Sequence, residues 1–230
     1  MTPPDRLPGA EGRARDVTAL VTCRQLARVY GRGTNALVAV HEVTCALRPG
    51  DQVAVMGPSG SGKTTLLHLL AGLDRPTAGR IGWPVFDDRP RGRIGVVFQG
   101  PSLLPPLNVA ENVALPLFIA GLGDTEARQR ALTALAAIGL ADLAGSLPEE
   151  LSGGQAQRVA VARVLAAEPR LIIADEPTAQ LDSDHALRVI DLLAQVAYRL
   201  DAGLVIATHD PLVAARLPTT WTMSDGALAC

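Results

Sequence analysis

A glycine-rich segment near residue 60 constrains this chain more than any other stretch. Residues 57–64 read Gly-Pro-Ser-Gly-Ser-Gly-Lys-Thr, which fits the pattern GxxxxGK[ST]. In this pattern the glycines let backbone N–H groups surround an anion, and the lysine adds a positive charge. The pattern forms a phosphate-binding loop (P-loop) only when a strand precedes it and a helix follows it.

Both flanks of the segment meet this requirement. Residues 52–56, with four apolar side chains in a row after Gln52, are typical of a buried strand, and residues 64–71 are typical of a helix. The N-terminus of that helix would direct free N–H groups into the loop. Lys63 is the only lysine among 21 Lys and Arg residues, and a planar guanidinium is too broad to pass between two phosphates. The segment therefore predicts a nucleoside-triphosphate site.

Continuous apolar runs elsewhere indicate a parallel sheet. The runs at 94–98, 171–174 and 204–207 lack the alternation of a half-exposed strand, so both faces of each strand should be covered. Two further β-rich stretches, 17–30 and 37–47, precede the loop. The expected fold class is α/β.

A helical insertion is expected between these strands. Residues 126–138 carry apolar side chains at helical spacing, with Asp124 or Thr125 as the N-cap and Gly139 as the stop. Near the C-terminus, Asp225-Gly226 separates two short apolar stretches and favours a hairpin turn.

Composition argues against several classes of protein. A formal net charge of −2 and 3% aromatic residues give neither a basic field nor stacking platforms, so no nucleic-acid partner is expected. The cysteines at 23, 45 and 230 form no CxxC pattern, which argues against a disulfide framework or a zinc site. No apolar stretch approaches the ~20 residues of a membrane span. We expect a cytoplasmic chain with residues 1–16 as a flexible tail.

A second glycine pair lies at residues 151–155, which read Leu-Ser-Gly-Gly-Gln before an apolar helical run at 156–167. Ser152 can cap that helix, and the two glycines let N–H groups approach an anion. One nucleotide in one P-loop has no use for a second phosphate-facing helix end. The pattern therefore indicates a dimer in which this end serves the nucleotide of another copy.

Two carboxylates follow the apolar run at 171–174. Asp175 and Glu176 are adjacent, and successive side chains of a strand point in opposite directions. We therefore expect Asp175 to hold the magnesium shell and Glu176 to polarise the attacking water. His209 follows the run at 204–207, from which it can reach the γ-phosphate side of the same site.

These segments, in this order, resemble the nucleotide-binding subunit of ATP-binding-cassette (ABC) transporters, and the resemblance covers residues 17–230. It implies a P-loop NTPase fold, with a RecA-like core, an antiparallel β subdomain and an α-helical signature subdomain at roughly 100–165. It also implies a head-to-tail dimer that sandwiches two ATP molecules with Mg²⁺. Such a dimer, of identical copies or of paired subunits, drives a separate integral-membrane permease from the cytoplasmic face.

The resemblance also implies roles for single residues. It makes Tyr30 the aromatic that stacks on adenine, Gln99 the residue that senses the permease, and Asp182 the D-loop aspartate. The implied catalytic residues are Lys63, Glu176 and His209. The implied Mg²⁺ contacts are Thr64, Gln99 and Asp175. The remaining implied nucleotide contacts are Gly57, Pro58, Ser59, Gly60, Ser61, Gly62, Thr65, Ser152, Gly153, Gly154 and Gln155.

Within this superfamily, residues 72–79, 103–107, 111–117 and 174–178 resemble the lipoprotein-releasing and macrolide-efflux group, whose permeases have few transmembrane helices. Two other classes stay open. An ABC-type ATPase of cell-division type would use the same site to regulate a membrane partner without transport. A soluble cassette ATPase of DNA repair or translation would carry long coiled coils or a fused second cassette, and this sequence shows neither.

Four of the assigned residues also have a purely structural interpretation. Glu176 can begin a helix, Gln99 and His209 can end strands, and Tyr30 can pack on a half-buried strand. The sequence also departs from the group at residues 179–180, where Ala-Gln replaces the common Gly-Asn.

Overall fold

The computed structural model describes residues 18–87 and 92–230. The expected tail at residues 1–16 lies outside the described residues. Within these ranges the strands are β1 Val21–Tyr30, β2 Leu37–Leu47, β3 Gln52–Met56, β4 Ala78–Gly82, β5 Ile94–Val97, β6 Leu171–Asp175, β7 Gly203–Thr208, β8 Thr219–Ser224 and β9 Ala227–Ala229. The α-helices are α1 Lys63–Leu70, α2 Val109–Ile119, α3 Asp124–Ala137, α4 Gly153–Ala166, α5 Ser183–Arg199 and α6 Pro211–Ala214.

Six strands form one large sheet in the order β5-β6-β7-β3-β8-β9. The first five run parallel to their neighbours, and β9 pairs antiparallel with β8 across the predicted Asp225-Gly226 turn. Every residue of β6 and β7 is buried, as expected for strands that are covered on both faces. The predicted parallel α/β sheet is therefore observed.

The two faces of this sheet pack into separate apolar cores because successive strand residues point to opposite sides. In β6, Ile172 joins a core with α2, α3, α4 and α5, whereas Ile173 joins a core with α1, β1 and β2. The strands β2, β1 and β4 form a second, antiparallel sheet in that order. Four leucines of α1 are buried in the second core, which fixes this helix and the loop before it.

Helices α2, α3 and α4 pack against one another beside the large sheet. Asn108 caps α2 in a reciprocal capping box with Glu111. The fully buried Asn112 side chain accepts from Leu104 N and donates to Leu104 O and Leu107 O. One buried amide therefore ties the segment after β5 to the start of α2.

Three sequence-based boundaries are wrong. Strand β1 begins at Val21 and not at residue 17. The N-cap of α3 is Gly123, so neither Asp124 nor Thr125 caps this helix; Asp124 is instead an acidic residue of its first turn, where it complements the helix dipole. Helix α4 begins at Gly153 and not at 156, because Ser152, the predicted cap, forms a reciprocal capping box with Gln155.

Candidate nucleotide-binding and hydrolysis site

A cleft of about 540 Å³ lies at the carboxyl ends of the central parallel strands. The P-loop follows β3, Asp175 ends β6, and His209 comes directly after β7. Open parallel sheets bind ligands at this edge. The residues that line the cleft are Tyr30, Leu37, Val38, Ala39, Ser59, Gly60, Gly62, Lys63, Thr64, Thr65, Gln99, Asp175, Glu176, Ala179 and His209.

The loop depends on glycine at two crowded positions. Gly62, the N-cap of α1, has φ +100°, and a Cβ there would lie 2.0 Å from Ala39 O. A Cβ on Gly57 would lie 2.1 Å from Met223 O. The backbone of the loop is thus pressed between β2 and β8, and helix α1 begins beside the cleft with its free N–H groups.

Lys63 is 7% exposed, and its ammonium is held by the loop itself. Its Nζ donates to Gly57 O over 2.7 Å and to Pro58 O over 3.0 Å. Ser61 is also buried, and its hydroxyl has no hydrogen-bond partner among the described residues. Of the predicted loop contacts, Gly57, Pro58 and Ser61 do not line the cleft.

Asp175 and Thr64 form a pair of oxygen donors at the end of β6. Thr64 hydrogen-bonds the Asp175 carboxylate, which is 5% exposed. Burial raises the pKa of Asp175, and the hydrogen bond from Thr64 opposes this shift. Its Oδ1 is buried and has no hydrogen-bond partner within residues 18–87 and 92–230. A buried carboxylate oxygen beside a hydroxyl fits Mg²⁺, a hard cation that binds through one or two carboxylates and substrate phosphates.

Glu176 and His209 meet across the ends of β6 and β7. The His209 Nδ1 lies 2.9 Å from Oε1 and 3.0 Å from Oε2 of Glu176. Glu176 has φ +46°, and its N–H donates to Ala207 O on the neighbouring strand. An ordinary side chain in this left-handed conformation is uncommon and is found preferentially at functional sites.

The opposite end of the cleft is apolar. Tyr30 is 37% exposed, and Leu37 pairs with it across the β1–β2 ladder. Leu37 and Val38 are also exposed, although both lie in a strand. Sequence reasoning missed Leu37, Val38, Ala39 and Ala179 as cleft residues. The sequence did contain a signal for Leu37 and Val38. They are apolar residues at the start of the strand that follows Tyr30, and the core does not use them.

The Leu-Ser-Gly-Gly-Gln segment, predicted to serve another copy, does not line this cleft. The Ser152 Oγ accepts from Gln155 N over 3.3 Å, and the Gln155 Oε1 accepts from Ser152 N over 2.8 Å. A Cβ on Gly153 would lie 2.6 Å from the Gln180 Oε1, and one on Gly154 would lie 3.2 Å from Gln180 O. Both glycines therefore permit close packing of Gln180 on the start of α4.

Asp182 also lies outside the cleft lining. It is the N-cap of α5 and accepts from His185 N over 2.9 Å and from the His185 ring over 2.7 Å. The backbone N–H of His185, followed by the His185 ring, lowers the pKa of Asp182. In this chain Asp182 is therefore a helix cap, and any contact with nucleotide would be made outside this cleft.

Residues 40–179 match the family described as ABC transporter. The chain belongs to the ABC transporter family. It is the ATP-binding subunit of a transporter and an ATPase, as the sequence predicted, and its P-loop NTPase fold class is confirmed. No helix within the described residues is long and apolar enough to cross a membrane.

Individual relatives of this ABC cassette agree with the family match. It is 38% identical over 219 residues to the lipoprotein-releasing system ATP-binding protein LolD of Legionella pneumophila strain Paris, covering 91% of this chain and 96% of that protein. It is 36% identical over 220 residues to LolD of Idiomarina loihiensis, with the same coverage of 91% and 96%. The predicted likeness to the lipoprotein-releasing group is therefore confirmed.

Solved structures give the same result for the ABC cassette. The ATP-binding cassette MJ0796, in a dimeric post-hydrolysis state with ADP and Pi, superposes with a TM-score of 0.84 at 36% identity, covering 91% of this chain and 97% of that one. CbiO1 from Clostridium perfringens, part of the transporter complex cbiONQ, superposes with a TM-score of 0.77 at 31% identity, covering 93% and 88%.

Proposed function

We propose that this cassette binds Mg-ATP in the cleft at the carboxyl edge of the sheet and hydrolyses it to ADP and phosphate. The observation that carries the proposal is the pairing of Glu176 with His209, next to the buried Asp175–Thr64 oxygens. Phosphoryl transfer needs mainly positioning and charge neutralisation, and this edge supplies both.

The cleft residues that the sequence predicted each have a proposed part in this reaction. The Lys63 ammonium leaves its loop carbonyls and binds the β- and γ-phosphates, while N–H groups of Ser59, Gly60 and Gly62 and the start of α1 hold phosphate oxygens. Thr65 contacts the α-phosphate, and Tyr30 stacks on adenine. Thr64, Asp175 and Gln99 would hold Mg²⁺, which would neutralise charge on the phosphate oxygens.

Glu176 orients the attacking water and accepts its proton. The water oxygen forms a bond to the γ-phosphorus. The bond between that phosphorus and the β–γ bridging oxygen breaks, and the bridging oxygen leaves as part of ADP. His209 orients Glu176 through its Nδ1 and presents its other ring nitrogen to the γ-phosphate. The contact of His209 Nδ1 with both oxygens of the Glu176 carboxylate supports this assignment.

We also propose that two cassettes, identical or paired, close head to tail over two ATP molecules. Each would offer Ser152, Gly153, Gly154 and Gln155 of its α4 start, and its Asp182, to the nucleotide of the other. Support comes from the position of the Leu-Ser-Gly-Gly-Gln segment (residues 151–155) outside the cleft and from the dimeric state of MJ0796.

The names of the relatives indicate what kind of membrane partner to test. We propose that residues 17–230 form the cassette, with the α-helical subdomain at roughly 100–165 and Gln99 facing a separate permease on the cytoplasmic side of a membrane. LolD belongs to a lipoprotein-releasing system, so a lipoprotein is the substrate class to test first.

A detergent pull-down of tagged Glu176→Gln protein with Mg-ATP, from cells that express the chain natively, tests this proposal. Retention of a permease with few transmembrane helices and a large external domain supports it, and wild-type protein with ADP is the matched control. Retention of a membrane protein without a transport pathway would favour the cell-division type of regulation instead. Retention of ribosomes or repair proteins alone would contradict a role in transport.

A further inference from the structure

The side chains of Arg28, Tyr30 and Asp74 form a hydrogen-bonded cluster where Tyr30 lines the cleft. Asp74 Oδ2 accepts from Arg28 Nε over 2.9 Å and from the Tyr30 hydroxyl over 2.8 Å. The Arg28 guanidinium carbon also lies 4.5 Å from the centroid of the Tyr30 ring. The ring is therefore held at its hydroxyl by a carboxylate and on one face by a cation.

The carboxylate that holds the ring comes from the loop after the P-loop helix. Asp74 follows α1, its N–H donates to His68 O, and its Oδ1 accepts from Arg75 N over 2.7 Å. Helix α1 begins with Lys63 and spans eight residues, about 12 Å. One short helix thus fixes the phosphate end of the cleft at its N-terminus and the Tyr30 ring at its C-terminus.

Asp74 is suited to this role because it remains ionised. Burial alone would raise the pKa of Asp74, but the Arg75 N–H, the Tyr30 hydroxyl and the Arg28 guanidinium together hold the pKa below its ordinary value. The side chains of Arg28 and Asp74 are only 24% and 23% exposed, which limits competition from water. An ionised acceptor keeps the hydroxyl bond and the guanidinium contact in place across neutral pH.

We propose that Asp74 and Arg28 are positioning residues that hold the Tyr30 ring as the platform for the nucleotide base. This inference rests on the proposed function of the cleft. Arg28 lies over one face of the ring and does not line the cleft, whereas Tyr30 does, so a base would stack on the face opposite Arg28. The cluster then determines how much the base contributes to nucleotide affinity. It does not affect the contribution of the phosphates.

A comparison of Mg-ADP binding with Mg-pyrophosphate binding separates the contribution of the base from that of the phosphates, because pyrophosphate lacks the base. Neither measurement depends on ATP hydrolysis. We would measure ADP by titration calorimetry and pyrophosphate by competition with ADP. Tyr30→Ala should weaken ADP about tenfold, as expected for loss of base stacking. Asp74→Ala should weaken ADP about three- to tenfold through loss of a charged hydrogen bond. Both variants should bind pyrophosphate within about twofold of wild type.

The double variant provides the decisive comparison. In the Tyr30→Ala background, Asp74→Ala should have no further effect on ADP, because there is no ring left to position. Asp191→Ala is the matched control: it removes the aspartate of another Arg–Asp pair, with Arg216 at 3.3 Å, outside the cleft. If Asp74→Ala is insoluble, Tyr30→Phe replaces it, since this change removes only the hydroxyl that meets Asp74 and should still weaken ADP severalfold.

Two results would overturn the inference while leaving the proposed function intact. One is an equal loss of ADP and pyrophosphate affinity in Asp74→Ala, which indicates a general structural role. The other is an additive loss in the double variant. Failure of the wild-type chain to bind Mg-ADP at all would instead overturn the proposed nucleotide site itself.

Discussion

His209 Nδ1 lies 2.9 Å from Glu176 Oε1, although 33 residues separate the two in the chain. The Glu176 side chain is 13% exposed and the His209 side chain 71% exposed. A nearly buried carboxylate is thus in contact with a largely exposed ring, and both side chains line the cleft. In the proposed reaction, this pair couples arrival of the γ-phosphate to activation of the water.

Replacing Glu176 by glutamine keeps the shape of the side chain and removes its capacity to accept a proton. We expect steady-state ATP hydrolysis to fall by about 10²–10⁴-fold, while Mg-ATP binding persists and a dimer accumulates. Phosphate release and size-exclusion chromatography with Mg-ATP measure these effects. Glu149→Gln, at an exposed carboxylate outside the cleft, should leave both unchanged. Wild-type turnover in Glu176→Gln would remove Glu176 from its proposed role.

The single lysine allows a chemical test of the P-loop. Apart from the amino terminus, Lys63 carries the only amine in the chain. Mg-ATP should protect it from an amine-reactive reagent, because the ammonium would then be bound to phosphates. Peptide mass spectrometry measures labelling at both amines, and the amino terminus provides the internal control. Equal labelling of Lys63 with and without Mg-ATP would contradict the assignment.

Gly62→Ala should disable the loop. Its positive φ strains any other residue by about 1–2 kcal/mol, and the new Cβ would overlap Ala39 O at 2.0 Å. We expect loss of ATP binding and a lower melting temperature. Gly60→Ala is the matched comparison: Gly60 also has a positive φ, +79°, but a Cβ there would meet no atom within 4 Å. The difference between the two variants therefore separates the effect of backbone strain from that of steric overlap. Equal behaviour of the two variants would show that the contact with β2 is unimportant.

Asp175 is expected to reduce stability in the absence of ligand. Because the pKa of this buried carboxyl is raised, the folded chain binds its proton more tightly than the unfolded chain, and the cost of the charge is fully present at neutral pH. Asp175→Asn should therefore melt higher than wild type at pH 7, by about 2–4 °C for each kcal/mol relieved, and the difference should shrink as pH falls.

The same variant should lose the effect of magnesium. In wild type, Mg²⁺ is expected to strengthen nucleotide binding, and chelation should abolish hydrolysis. Asp175→Asn should bind nucleotide with little dependence on Mg²⁺, measured by titration with and without the ion. An Asp175→Asn protein that melts lower and keeps full Mg²⁺ dependence would argue that Asp175 is only a structural carboxylate.

Asp182 should contribute to stability as a helix cap. The His185 N–H lowers the pKa of Asp182, so its contribution is present above the ordinary aspartate pKa of about 4 and is lost as pH falls through its lower folded value. Asp182→Ala should melt below wild type at pH 7, and the gap should narrow under acid conditions. Asp182→Asn, which can still cap, should lie between the two. A gap that is independent of pH would show that the charge is irrelevant.

The local elements were largely predictable from the sequence. Residues 52–56 form β3 as predicted, because four consecutive apolar residues bounded by turn residues leave little choice of structure. The stop at Gly139 was equally clear, since its φ of +69° favours glycine. The N-cap of α3 was missed because Gly123 offers no side-chain signal, whereas the two residues after it are both good capping types.

The chemistry of the chain and the order of its motifs were determined by the sequence alone, because a P-loop with one lysine and an apolar strand ending in two carboxylates are local patterns. The tertiary structure decided which of these residues meet. It set the Glu176–His209 distance, placed Leu37 and Val38 in the cleft, and joined Asp74 to Tyr30. These contacts depend on strand order, on hairpin register and on how helix α1 packs, and residues that are distant in sequence carry no local trace of them.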